Sequence, residues 1–121
     1  MSGYHVELEQ KTIENDNFRE VLFTGPKSQL VVMSLLPNEE IGMETHEDHD
    51  QFIRVEAGLG KAIIDGQEFE LKDGSAIVIL AGAEHNVVNT SDTEKLKLYT
   101  IYAPPEHADG TIHATKAEAG E

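Results

Sequence analysis

Two histidine-centred stretches of this chain carry the residue types that hold a metal ion. The first contains Gly42, Glu44 and His46, continues through Asp50 and Gln51, and closes at Gly58. The second runs from Gly74 to Gly82 and on to His85 and Asn89. Imidazole nitrogen, carboxylate oxygen and amide oxygen form a mixed donor set. Such a set suits iron, manganese, nickel, copper or zinc better than a metal that seeks thiolates. The donors must then face one cavity. Side chains alternate faces along a strand, so residues two apart point the same way. Glu44 and His46 share a face if their segment is extended. Gln51 shares its face with Ile53 and Val55, and His85 with Val87 and Asn89. A few polar groups in apolar walls are the usual makeup of a small-molecule site.

Each candidate has a plainer reading. A histidine taken alone is more often an ordinary hydrogen-bonded residue, Glu44 could be a solvated carboxylate near a turn, and Gln51 a structural amide. His49 lies three residues after His46, a spacing that suits a helix better than a strand. The stretch Glu47-Asp48-His49-Asp50 reads as a polar loop, and His49 enters only as a substitute for Glu44. The acidic run around it lacks the spacing of a calcium loop. His5, His107 and His113 fall outside both stretches and are expected at the surface.

Together the two stretches resemble the paired motifs of the cupin family, over roughly residues 30–105. The second motif is matched at Gly74, Gly82, His85 and Asn89, with Leu80 where proline is usual. In the first, His46 takes the place of the second histidine and Glu44 that of the first. Gln51 replaces the glutamate, and Gly58 keeps its place. The resemblance implies metal ligation by His46, Gln51, His85 and Glu44. It also implies an all-β, double-stranded β-helix or jelly-roll barrel, and a metal-dependent activity on a small organic molecule. Dioxygenase-like oxidoreductase chemistry is favoured. Sugar isomerisation or epimerisation is the enzymatic alternative, and a non-catalytic module that senses a small ligand or a metal is the other. Glutamine cannot take up a proton near neutral pH. Any proton abstraction therefore falls to Glu44, the candidate catalytic residue, or to a hydroxide on the metal. Small cupins commonly pair, so the resemblance also implies a homodimer.

The elements that must position these residues read as strands. Candidates are 4–9, 19–24, 29–36, 43–46, 51–57, 61–65, 68–71, 76–80, 84–89 and 95–102, separated by turn residues. Asp65-Gly66 between two strands predicts a tight hairpin, because its turn wants positive φ at both central positions. Segment 76–80 is apolar throughout, which predicts burial on both faces. Segment 95–102 begins with alternating lysines and leucines, which predicts one wet face. Strand 4–9 has no local partner and is expected to pair with a second copy. No helix is expected before residue 105. Tyr102-Ala103-Pro104-Pro105 should end the last strand, since proline cannot donate to a sheet. The tail 106–121 is polar, and 110–121 reads as a surface arm with a frayed end.

The chain has 121 residues, of which 39% are hydrophobic, enough for one domain over 1–121 with a single core. Absence of cysteine removes thiolate sites and disulfides. The formal net charge of −14 argues against nucleic acid and anionic membranes as partners, since both need basic patches. No run is long enough to cross a bilayer as a helix, and no signal-peptide pattern opens the sequence, so the cytoplasm is the expected location.

Overall fold

Alternation of apolar and polar side chains becomes ten strands, joined by one short helix, among residues 2–121, which the computed structural model describes. Helix α1 spans Leu8–Glu14. The strands are β1 (Arg19–Thr24), β2 (Gln29–Leu35), β3 (Glu44–Thr45), β4 (Asp50–Ala57) and β5 (Gly60–Ile64). They continue with β6 (Gln67–Leu71), β7 (Ala76–Ile79), β8 (Glu84–Asn89), β9 (Leu96–Ala103) and β10 (Ile112–His113). Six form one antiparallel sheet in the order β10-β1-β2-β9-β4-β7. Four form a second in the order β3-β8-β5-β6. Val31, Met33, Ile53, Val55 and Leu98 of the first sheet share one buried cluster with Ala62 and Val87 of the second. This is an all-β jelly roll. The expected parity holds where it matters for the site: Gln51, Ile53 and Val55 are buried, as are His85, Val87 and Asn89.

The Asp65-Gly66 hairpin forms with φ of 47° and 83°, so both central residues take the left-handed conformation that its turn requires. Gly58, just past a bulge between Val55 and Ala57, has φ 99° and passes so close to Lys95 that a Cβ would lie 2.5 Å from its carbonyl oxygen. No helix of the described residues is long and apolar enough to cross a membrane.

Four local expectations are corrected. Segment 4–9 is not a strand, and the expectation of no helix before residue 105 fails with it: α1 begins inside that segment and packs against β2, β4 and β9. Two turns are too short to display a helical period, so tertiary packing decides. The same helix removes the wet face expected of β9. The Lys97 ammonium is buried beneath the α1–β1 connection and donates to the Asn15 carbonyl and, at 2.8 Å, to Asp16. Hydrogen bonds from Lys97 and then Lys95 hold the Asp16 carboxyl down at about 2. Segment 76–80 is wet on one face, because β7 is an edge strand with Val78 59% exposed. Its apolar run reflects β propensity as much as burial. The tail is no free arm. Ile112 and His113 pair with Glu20 and Arg19, Ala119 packs on the core, and the Glu121 side chain reaches Arg19.

Candidate metal centre

Strand register brings the candidate donors to one end of the barrel. On β3 and β8, Glu44 lies directly opposite His85. His46 follows β3, and its ring centroid stands 5.2 Å from that of His85. Ligand atoms of Glu44, His46 and His85 all lie within 4.8 Å of one another. Gln51 enters from β4 opposite Tyr102, whose ring is 5.9 Å from the His46 ring. His46 Nε2, His85 Nε2 and Gln51 Oε1 are buried and have no hydrogen-bond partner.

Each of these three atoms is left free because the other end of its side chain is engaged. His85 Nδ1 lies 3.0 Å from the Ala83 carbonyl oxygen. A carbonyl only accepts, so Nδ1 carries the proton and Nε2 presents a bare lone pair. His46 Nδ1 lies 2.7 Å from Glu106 Oε2, which selects the same tautomer there. Gln51 Nε2 donates to Thr100 Oγ1 at 3.0 Å, which leaves its buried oxygen without a donor. Metal-binding histidines are commonly held in this way, with the second nitrogen on a carboxylate or a carbonyl. The donor chemistry and the unpartnered atoms therefore fit a divalent cation.

Electrostatics point the same way. Burial lowers the proton affinity of His46, and the neighbouring His85 and His49 lower it further against the pull of Glu106. A neutral imidazole is the form that ligates. Burial pushes the Glu44 carboxyl up to about 7, with the negative charges of Glu121 and Glu106 adding to the effect and Arg19 opposing it. Burial raises the Tyr102 phenol as well.

Sequence reasoning admitted His49 only as a substitute for Glu44 and placed it in a polar loop. His49 is only 9% exposed, its ring centroid is 4.8 Å from that of His46, and its Nε2 lies 2.9 Å from Glu106 Oε2 but poorly aligned for a hydrogen bond. His46, His49 and Glu106 thus form a second group that could hold a cation. It is the weaker of the two, because Glu106 already engages His46 Nδ1. His107 is not a surface residue: its ring packs edge-on against Tyr102, and burial, followed by the Arg19 charge, lowers it to about 4. His113 is half-buried with an unpartnered Nδ1. His5 is exposed, as expected.

Arg19 also went unremarked, though strand parity put it on the apolar face of Val21. It is 2% exposed, and its charge reaches Glu44, Tyr102 and His107. Asn89 serves the fold rather than the centre. Its amide nitrogen donates to the carbonyls of Leu35, Leu36 and Glu94, and its oxygen accepts from Ser91 N. A surface groove of about 700 Å³ beside Leu59, Lys61 and Phe69 shares no residue with the cluster and offers none of its donors.

A family model described as a cupin domain matches residues 31–102. The uncharacterized protein YrkC of Bacillus subtilis is 46% identical over 120 residues, covering 94% of this chain and 64% of that protein. The chain thus spans a little under two thirds of that relative's length. The uncharacterized protein L612 of Acanthamoeba polyphaga mimivirus is 42% identical, covering 97% of this chain and 75% of that one. The crystal structure of BH2720 from Bacillus halodurans superposes with a TM-score of 0.94 at 44% identity, covering 97% of this chain and 92% of that one.

Proposed function

The chain belongs to the cupin domain family, and from that premise we propose that it holds a divalent transition metal and acts on a small organic molecule, with dioxygenase-like oxidation the favoured reaction class. One observation carries the reading. Three buried lone pairs, on His46 Nε2, His85 Nε2 and Gln51 Oε1, have no partner, and ligand atoms of His46 and His85 lie within 4.8 Å of the Glu44 carboxylate. Buried acceptors without donors are costly, and one cation would relieve all three. His46, His85 and Glu44 approximate the two-histidine, one-carboxylate set of non-haem iron sites. Gln51 adds a neutral donor. Iron, manganese, nickel, copper and zinc all suit these atoms.

When bound, the ion would supply Lewis-acid chemistry and, if redox-active, electron transfer. The chain's own residues do the rest. Glu106 and the Ala83 carbonyl orient the two imidazoles, and Thr100 orients Gln51. In the metal-free protein burial holds the Glu44 carboxyl at about 7, so it can exchange a proton at neutral pH when it does not ligate the ion. That property supports a second reading, proton transfer of the isomerase or epimerase kind. A binding module without turnover is the third.

Metal content of wild type, His46→Ala and His85→Ala, purified without chelators, tests the centre. Metal in the wild type and its loss from both variants is the expected result. Equal, negligible metal in all three after supplementation with divalent ions would sink the proposal. Oxygen uptake against a panel of small substrates then separates oxidation from isomerisation and from binding alone. We further propose a homodimer in the cytoplasm. The charge of −14 supports small molecules rather than nucleic acid or anionic membranes as ligands.

A further inference from the structure

The Arg19 guanidinium is the most deeply buried cation near the proposed centre. It is 2% exposed, rests 5.2 Å from the Phe18 ring centroid, and projects from β1 on the face of Val21. Its ion-pair partner is the Glu121 side chain, with Nη2 2.8 Å from Oε1, and its Nε has no partner at all. A guanidinium offers five N–H donors in a planar fork matched to a carboxylate. Here the fork is incompletely used. Glu121 is 23% exposed, so this carboxylate sits at the water boundary with the cation behind it. The segment that carries it is held by its own turns: Glu118 N to Thr115 Oγ1, Ala119 N to Lys116 O and Gly120 N to Ala117 O. The Glu121 side chain can therefore leave Arg19 without unravelling a strand. Val21, on the same face of β1, shares the buried cluster with Tyr102, whose ring lies 5.9 Å from that of His46, so Arg19 projects into the interior that the proposed centre borders.

We infer that Arg19 anchors a carboxylate on the small molecule this centre takes, and that the Glu121 side chain occupies that place in the free protein. The inference rests on the proposed metal-dependent function and names its substrate class, a small carboxylic acid in its anionic form. The physical reason is charge balance. Removing Glu121 alone would leave a buried cation uncompensated, which is strongly unfavourable. Only another anion can displace it cheaply. A carboxylate fits the fork, can engage the unused Nε, and brings the rest of its molecule towards Glu44, His46 and His85. A neutral ligand of the same size leaves the guanidinium unpaired.

Acetate supplies the atoms that Glu121→Ala lacks, so it is the probe, with acetamide and sodium chloride as controls. Chelator-treated Glu121→Ala should gain about 5 °C in melting temperature at roughly tenfold excess of acetate over its dissociation constant. Acetamide and chloride should give no gain, and wild type, already filled by Glu121, should respond little. Adding Arg19→Lys, which keeps the charge but removes the fork, should abolish the gain. An equal response to acetate, acetamide and chloride would overturn the inference. A second measurement places the ligand. In manganese-loaded Glu121→Ala the acetate methyl resonance should broaden relative to the zinc-loaded protein, and His85→Ala should remove the broadening while keeping the acetate-dependent melting shift. Sharp acetate lines in protein that demonstrably retains manganese would also overturn it. An acetate-specific shift in a protein that retains no metal would instead defeat the metal reading and leave the Arg19 carboxylate site standing.

Discussion

The two ends of the Gln51 amide face different neighbours, and both matter. Its nitrogen donates to Thr100 Oγ1 at 3.0 Å, while its buried oxygen has no partner. Gln51→Glu places a charged donor where a neutral one stood and should tighten metal binding, read as a lower dissociation constant. Gln51→Leu should weaken metal binding and also leave the Thr100 hydroxyl buried without its partner, at a cost of about 1–3 kcal/mol read from urea unfolding. A Leu variant that loses stability but binds metal like wild type would make Gln51 purely structural. His107 gives a prediction in pH. Its unfolded imidazole takes a proton near 6.5, whereas burial and the Arg19 charge hold the folded one down to about 4. Between those values the unfolded chain binds more protons, so stability falls as pH drops from 6.5 to 4 and then levels off. In chelator-treated protein, His107→Gln should flatten that part of the melting-temperature curve; an unchanged slope would remove His107 as its source. The paired motifs singled out His46, Gln51 and His85, and the burial of Gln51 and His85 beside their apolar strand neighbours was legible because strand parity is local. Glu106 and His107 were not. Gln29 Oε1 accepts from both of their backbone nitrogens, and this tie across the chain after β9 carries no local signature.

At the scale of elements, the glycines differ in what they permit. Gly58 has both a positive φ and no room for a Cβ, which would meet the Lys95 oxygen at 2.5 Å and the Leu96 Cα at 3.0 Å. Gly74 has φ 89° but nothing within 4 Å. Gly58→Ala should therefore cost about 2–4 kcal/mol, from backbone strain plus overpacking. Gly74→Ala should cost about 1–2 kcal/mol, from conformation alone. Urea midpoints of the two variants check the ranking, and equal losses would mean that the Lys95 contact relaxes freely. Most strands and the Asp65-Gly66 hairpin were legible, because alternation and turn chemistry are written in neighbouring residues. α1, the covered face of β9 and the docked tail were not. Lys97 looks solvent-facing from its own strand, and only the approach of Asn15 and Asp16 buries it. The apolar run of β7 misled in the opposite sense, since an edge strand can carry Val78 into water.

For the whole molecule, the question is what covers its open edges. The expected donor strand, residues 4–9, is absent, so the proposed dimer must use another edge. β7 ends the six-stranded sheet with one neighbour only, β4. It exposes 59% of Val78, and Leu80 just beyond it is 64% exposed. An unpaired edge beside apolar side chains favours pairing with a second copy. Opposing it is charge, because each protomer carries −14 and two copies repel. Salt shortens the reach of that repulsion to about 10 Å at 0.1 M, while apolar contact at the edge is little affected. Association should therefore strengthen with ionic strength, the reverse of a dimer held by opposite charges. Light scattering at micromolar protein should give twice the protomer mass at moderate salt and a larger monomer fraction at very low salt. Val78→Lys adds a charge at the edge without touching the barrel interior. It should give the monomer mass at every salt concentration while leaving metal content and melting temperature near wild type. A wild-type monomer across the whole salt range would remove the dimer, and a dimeric Val78→Lys variant would move it to another edge.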